Sequence, residues 1–373
     1  MSGITPIIMP KWGLSMQQGT VVSWLVEEGA TISVGTPIME VETDKIASDV
    51  EAPDPGLLRR KLAGAGEVFA VKALLGVMAG ADVTDAQIDE FIAAYVAPVD
   101  TDADQDGDAA QATQFVEVDG IRVRYARRGN EAGGKLPVLF IHGFGGDLDN
   151  WLFNIDAVGA QNPVIALDLP AHGQSSLRLA GSSLAELAQF VVGFLDAIDV
   201  PRAHLVGHSL GGAIAAQVAL DNPARVASLS LIGSAGLGQE INGNYLASYI
   251  AAGSRRELKP VVEQLFADAG LVSRQLLDDL LKYKRLDGVS EALTQLSAAI
   301  FANGQQTELP VRKLGAGGPP LLVIWGAADR IIPASHAAQA PAGTKVAVLE
   351  GAGHMVQMEK AGEVNALIKT QVA

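Results

Sequence analysis

Along residues 4–80, apolar positions come in short runs separated by glycine-bearing turns. Thr20-Val21-Val22-Ser23-Trp24-Leu25-Val26 leads through Glu28-Gly29 and Gly35 to Pro37-Ile38-Met39-Glu40-Val41-Glu42. A matching half follows over 46–53, 57–62 and 68–71, punctuated by Gly56, Gly64 and Gly66. Runs this short and closely spaced predict a small antiparallel β-sandwich whose halves meet at Thr43-Asp44-Lys45. Over 81–97 the period lengthens. Ile88, Phe91, Ile92 and Tyr95 recur at helical spacing behind the capping box Thr84-Asp85-Ala86-Gln87, so a helix is expected, packed on the β domain or extending it. Residues 98–113 alternate Asp with small residues and have no apolar period, the pattern of a solvated linker; these 16 residues span at most roughly 50–60 Å.

From residue 114 onward, strand and helix patterns alternate. Residues 115–125 alternate around Asp119-Gly120, which predicts a hairpin. There follow strands at 138–141 and 164–168 with a helix around Trp151 between them, then a helix over 184–198 opened by a second capping box, Ser183-Leu184-Ala185-Glu186. A strand at 203–206, a helix at 212–220 and a strand at 226–232 come next. Such alternation predicts a doubly wound, largely parallel sheet with helices on both faces. Between 236 and 314 the rhythm becomes helical and polar-flecked, which is read as a cap over the C-terminal strand ends, shaping a substrate pocket. Strands resume at 321–325 and 346–349, and an amphipathic helix from about Gly362 closes the chain. The expected organisation is a β domain at 1–80, a helical extension at 81–97, a linker at 98–113, and an α/β domain at 114–373 with its cap at about 236–314.

Composition narrows the chemistry. With 373 residues, 49% of them apolar but only 5% aromatic, the core must be built from Ala, Leu, Val and Ile. A net charge of −15, with no basic cluster beyond Arg59-Arg60-Lys61, argues against nucleic acid or an anionic membrane as partner. There is no cysteine, hence no disulfide, no thiolate metal site and no cysteine nucleophile; no metal is expected, and thiol chemistry must come from a cofactor or substrate. The N-terminal residues lack a charged segment followed by an apolar one, and no run approaches the roughly 18–20 apolar residues of a membrane span, so a cytoplasmic protein is expected.

In the N-terminal domain, Glu42-Thr43-Asp44-Lys45 stands at the junction of the two half-sandwiches, with Gly29, Gly35 and Gly56 around it. A lysine on a tight exposed turn is open to a modifying enzyme and can swing a long arm. This arrangement resembles the lipoyl domain of 2-oxo acid and acetoin dehydrogenase complexes. The resemblance implies a barrel-sandwich fold and lipoic acid in amide linkage on Lys45. Biotin carriers are the close rival, but their lysine is usually flanked by methionines, and here Asp44 and Ile46 flank it. The basic subunit-binding domain that follows the lipoyl domain in many acyltransferases has no counterpart in the short, acidic stretch after residue 80.

In the C-terminal domain the chemistry gathers on Gly207-His208-Ser209-Leu210-Gly211, set between a strand and a helix. A serine on so sharp a turn is held in strained geometry, with its hydroxyl projecting from the sheet edge. Together with residues 140–146, 168–175, Gly326-Ala327-Ala328-Asp329 and Gly351-Ala352-Gly353-His354, it resembles an α/β-hydrolase, the motifs standing in the order Ser, acid, His, each directly after a predicted strand. Ser209 requires a base. Of six histidines, His142 and His172 sit in loops that such proteins use to shape the backbone, His208 lies within the turn, His204 opens a strand and His336 is on a helix; only His354 follows a late strand through a glycine-rich loop. The candidate catalytic residues are therefore Ser209, Asp329 and His354, Asp329 fixing the tautomer of the base, and the backbone amides of Phe144 and Leu210 are the expected oxyanion donors.

A thioester-bearing arm and an acyl-accepting serine in one chain resemble the dihydrolipoamide acetyltransferase components of acetoin dehydrogenase complexes, some of which carry an α/β-hydrolase fold. The usual acyltransferase signature His-x-x-x-Asp-Gly is absent. The resemblance implies acetyl transfer from acetyl-dihydrolipoyl to coenzyme A, with thiamine-diphosphate-dependent acetoin dehydrogenase subunits, dihydrolipoamide dehydrogenase and a lipoylating enzyme as partners. The alternative is a hydrolase tethered to a lipoyl carrier, with water resolving the acyl-enzyme or cleaving a carbon-carbon bond. Water exclusion decides between them.

Overall fold

A computed structural model of the chain describes residues 3–373 except 11, 13–15, 44–46, 53, 98–112, 130, 132–133 and 316. The chain divides into two compact units, one in its N-terminal part and one formed by most of the remainder. In the first, the short apolar runs pair as two antiparallel sheets. One has β1 (Ile4–Ile8), β8 (Leu74–Ala79), β6 (Gly56–Lys61) and β3 (Thr31–Ile32), in that order; the other has β5 (Ala47–Glu51), β4 (Pro37–Glu42), β2 (Gln18–Trp24) and β7 (Val68–Ala70). Ile7, Val21, Ile38, Met39, Val41, Leu58 and Leu75 form the buried core. A register shift between Pro37 and Met39 lets the adjacent Ile38 and Met39 both turn inward, where strict alternation would expose one of them. β1 and β8 lie outside the runs that alternation picked out.

The predicted helix is α1 (Asp85–Ala94), and it packs on the β domain. Ile88 is buried with Val77 and Ala79, and both halves of the Thr84/Gln87 capping box form. The basic run does not make a free patch: Arg59 and Arg60 pair with Asp85 at 2.9 and 3.2 Å, and Lys61 with Glu27 at 2.8 Å. The predicted linker at 98–113 lies outside the described residues but for Thr113.

In the second unit the described residues form a sheet of eight strands in the order β16-β15-β14-β13-β11-β12-β10-β9. β9 (Gln114–Val118) and β10 (Ile121–Gly129) make the Asp119-Gly120 hairpin, both turn residues at positive φ. β10 is antiparallel to β12 (Pro163–Leu167), and from β12 across β11 (Val138–Ile141), β13 (Ala203–His208), β14 (Val226–Ile232), β15 (Leu321–Gly326) and β16 (Lys345–Leu349) the pairing is parallel. Continuous burial of β11 and β12 accounts for their unbroken apolar sequences. The helix expected around Trp151 is a 3-10 turn, Leu148–Trp151, followed by the short α2 (Ile155–Gly159). On the sheet lie α2, α3 (Leu184–Ala197) and α4 (Leu210–Asp221), and after β16 come α10 (Val356–Glu359) and α11 (Ala361–Val372). Between β14 and β15 stand α5 (Gly243–Ala251), α6 (Arg255–Val262), α7 (Arg274–Lys284), α8 (Val289–Ile300) and α9 (Pro310–Lys313). α6 opens on a third capping box, Ser254 with Glu257.

The chain passes from β11 to β12 on one side and then to β13 on the other, so the crevice outside the ends of β11 and β13 is a topological switch point, where such sheets bind ligands. Asp168, just past β12, staples the loops around it. Fully buried, it accepts from Arg124 at 2.6 and 3.2 Å and from the amides of Leu148 and Gln174 at 2.9 and 2.8 Å. Removing one partner of a buried pair leaves an uncompensated charge, so Arg124→Met should lower unfolding stability by about 3–5 kcal/mol. Urea denaturation measures this; a loss under about 1 kcal/mol would show that the amides alone suffice for Asp168.

Candidate active site

Ser209 lies between the last residue of β13 and the first of α4, with φ 53° and ψ −118°, a conformation L-residues rarely adopt. Its surroundings enforce it. The Ser209 amide donates to the Ile232 carbonyl at 3.0 Å, and its carbonyl accepts from Gly212 at 3.0 Å and Ala235 at 3.0 Å. At Gly211 a β-carbon would lie 2.2 Å from the carbonyl oxygen of Ile141, so glycine is what lets α4 start directly against the end of β11. The N-terminus of α4, with its positive dipole end, thereby opens beside Ser209.

The turn after β11, residues 142–146, abuts the serine: a β-carbon on Gly143 would lie 2.9 Å from Cβ of Ser209. Gly145 in this turn has φ 70°. The amides of Phe144 and Leu210 donate to no acceptor among the described residues. Leu210 follows Ser209 directly, and Phe144 follows Gly143, the glycine that packs against it.

Asp329 and His354 meet across two loops. His354 Nδ1 is 2.8 Å from Asp329 Oδ2, and the other carboxylate oxygen accepts from the amides of Ile331 and Ile332 at 2.8 and 3.0 Å. Both side chains are buried, at 3% and 0% exposure. A carboxylate oxygen accepts this bond, so Nδ1 is its donor and the neutral ring's Nε2 is left with its lone pair. Gly233, after β14, packs against this pair: its β-carbon would lie 3.3 Å from His354 Nδ1 and 3.5 Å from Asp329 Oδ2.

The other histidines are structural. His142 Nδ1 bonds the Gly143 carbonyl at 2.8 Å while its Nε2 accepts from the Leu169 amide at 3.0 Å. His172 Nδ1 bonds the Pro170 carbonyl, His204 meets Ser228 Oγ, and His336 meets Glu240. Burial lowers His142 to about 4 and His172 to about 3, with the backbone bonds acting the other way, and it holds His208 well below the usual range. All three stand neutral at pH 7.

Two supporting residues were not among the predicted site residues. His208 donates from Nε2 to the His354 carbonyl at 3.0 Å, with the rings 4.7 Å apart. Glu359 receives the Gly353 amide at 2.6 Å and the Ala267 amide at 2.7 Å, fixing the loop that carries His354. A lone acid among the apolar residues of α10 was the signal available for Glu359. Lys45 lies outside the described residues; on either side of its segment, β4 and β5 pair Glu42 with Ala47.

A family model described as alpha/beta hydrolase fold matches residues 137–361, and one described as biotin-requiring enzyme matches residues 5–78. Fold and matches together define an α/β-hydrolase-fold protein with a lipoyl-type β domain before it. Over 98% of the chain and 96% of the relative, the sequence is 61% identical to the dihydrolipoyllysine-residue acetyltransferase component of the acetoin cleaving system of Cupriavidus necator. It is 49% identical to the protein of the same description from Pseudomonas putida, over 98% of the chain and 97% of the relative. A meta-cleavage product hydrolase of Pseudomonas fluorescens superimposes with a TM-score of 0.63 at 22% identity, over 70% of this chain and 98% of that one, a likeness of fold. The chain belongs to the family of dihydrolipoyllysine-residue acetyltransferase components of acetoin cleaving systems. Among the described residues no helix is long and apolar enough to cross a membrane.

The buried neutral histidines imply an acid-labile fold. A histidine whose folded pKa is depressed adds stability that is fully present above its unfolded value, near 6.5, and is lost as pH falls toward its folded value. For His142 that window runs from 6.5 down to about 4, worth about 3 kcal/mol at 1.36 kcal/mol per unit. Urea midpoints should therefore fall steadily below pH 6.5. Constant stability from pH 6.5 to 4.5 would contradict burial of these rings in the neutral form.

Proposed function

We propose that this chain accepts an acetyl group on Ser209 from a thioester carried by lipoyl-Lys45 and passes it to coenzyme A. The observation that carries the reading is a strained serine between strand and helix together with two unpartnered amides and an aspartate-bound histidine, in a chain alike across its length to acetoin-system acetyltransferases. Lipoic acid attached at Lys45 supplies the thiol chemistry that a cysteine-free chain lacks. Lys45 falls in the connection between β4 and β5, and the acidic stretch at 98–113 serves as a tether. A tether of that length holds an arm at an effective concentration on the order of millimolar.

Each step is assigned to residues of this chain. His354 Nε2 takes the Ser209 proton as Oγ bonds to the acyl carbon, and the Phe144 and Leu210 amides receive the charge on the carbonyl oxygen. The carbon–sulfur bond then breaks, and His354 returns the proton to the departing thiol, leaving acyl-Ser209. The thiol of coenzyme A gives its proton to His354 and attacks the acyl carbon, and Oγ leaves with that proton. Asp329 keeps the imidazole in the tautomer both halves need and stabilises its charged form. The proposed partners are thiamine-diphosphate-dependent acetoin dehydrogenase subunits, dihydrolipoamide dehydrogenase and a lipoylating enzyme, in the cytoplasm.

Acetyl-dihydrolipoamide supplied with and without coenzyme A is the direct test. Acetyl-coenzyme A should form, and Ser209→Ala should reduce its rate by about 10⁴-fold or more. Free acetate released at a rate indifferent to coenzyme A would make the enzyme a hydrolase. In intact mass, Lys45→Ala should abolish the lipoyl increment; an increment that persists places the arm elsewhere.

A further inference from the structure

Helix α5 reaches into the oxyanion turn. The phenol of Tyr249 donates to the carbonyl of Gly145 at 2.9 Å, and its ring lies where any side chain on Gly145 would stand, 2.5–2.9 Å from a β-carbon built there. The Phe144 ring packs edge-on against Tyr249, centroids 6.3 Å apart, and against Phe301 from the end of α8 at 6.2 Å.

The hydrogen bonds continue beyond the carbonyl. The Gly145 carbonyl shares one planar peptide unit with the Gly146 amide. That amide donates to the Gly143 carbonyl at 3.2 Å, which shares the next planar unit with the Phe144 amide, the proposed oxyanion donor. Tyr249 O–H, peptide 145–146 and peptide 143–144 thus form a relay ending on the reacting oxygen. Rigid planes transmit orientation along it, and each bond polarises the next. His142 Nδ1 adds a second donor to the Gly143 carbonyl at 2.8 Å.

Tyr249 is itself braced. The ammonium of Lys284, at the end of α7, donates to the carbonyls of Tyr249 and Ile250, the latter at 3.0 Å, closing the last turn of α5 from outside. It also lies 4.8 Å from the Tyr249 ring centroid. Burial raises the Tyr249 phenol well above its ordinary value, so it stays a donor throughout the working pH range.

We propose that Tyr249 is a positioning residue for acyl transfer: through Gly145 and Gly146 it aims and strengthens the Phe144 amide, so the oxyanion site is complete only with α5 seated on the turn. The proposal rests on the serine reading above.

Tyr283 provides the control, since its phenol makes a similar bond, to the Ala171 carbonyl at 2.8 Å, which is no part of the relay. Tyr249→Phe should lower kcat about tenfold with KM within about twofold, a fraction of the 10²–10³ lost when an oxyanion donor is removed. Binding of an acetyl trifluoromethyl ketone mimic of the tetrahedral adduct should weaken by the same factor as kcat/KM. Tyr283→Phe should keep kcat with a comparable drop in Tm. An unchanged kcat in Tyr249→Phe, or an equal kcat loss in Tyr283→Phe, overturns the proposal. If Tyr249→Phe does not fold, Lys284→Met serves: a severalfold fall in kcat supports the relay, and wild-type kcat refutes it. Ser209→Ala separates the two levels. Wild-type turnover there removes the serine reading and this proposal with it, whereas lost turnover there with wild-type kcat in Tyr249→Phe removes this proposal alone.

Discussion

The backbone contact at Gly211 is the constraint on which the C-terminal unit turns. Helix α4 begins within touching distance of the Ile141 and His142 carbonyls, at a separation no β-carbon could occupy. Bringing α4 this close forces Ser209 to φ 53° and sets the amide of Leu210 beside the turn that follows β11. Residue strain of this kind costs on the order of 1–3 kcal/mol and persists only where the surroundings over-determine it. Here they do, through main-chain bonds of Ser209 to Ile232, Gly212 and Ala235. One contact therefore sets the proposed nucleophile and one half of the proposed oxyanion site.

Carboxylates finish what the backbone begins. Asp168, Asp329 and Glu359 are each spent on main-chain amides of loops at the C-terminal edge of the sheet, with Arg124 or His354 as the further partner of the two aspartates. A buried carboxylate that accepts several amides holds a loop more firmly than apolar packing can, because every bond it makes is directional and charge-assisted. The loops bearing Gly143, Asp329 and His354 lack secondary structure of their own and are fixed in space for this reason. Histidines held neutral by burial fill the gaps between them without bringing in competing charge.

Acetyl transfer to a thiol, rather than to water, asks for a site that is assembled and dry at the same moment. The proposed relay from α5 would couple those conditions, because the helix whose Tyr249 packs on the turn after β11 would also orient its donor. The carrier requirement is met from the other end of the chain. Without cysteine, the protein takes its thiol chemistry from covalent lipoic acid on the β domain, proposed at Lys45, and the proposed tether would raise local concentration without needing a tight binding surface.

Much was legible in the sequence because it rests on local rules. Asp119-Gly120 names a hairpin, the Thr84 and Ser183 capping boxes mark helix starts, and unbroken apolar runs such as 138–141 mark strands buried on both faces. The order of Ser209, Asp329 and His354, each after a strand, likewise suffices to nominate them. Residues whose role lies in what they touch left no such trace. Glu359 and His208 act on His354, Tyr249 acts on a carbonyl 104 positions away, and the inward turn of both Ile38 and Met39 needs a bulge in the pairing with β5. Periodicity and motif report a residue's own backbone state. Only the folded chain decides which distant main-chain groups a phenol, a carboxylate or an imidazole will meet, since those distances are set by how strands and helices pack.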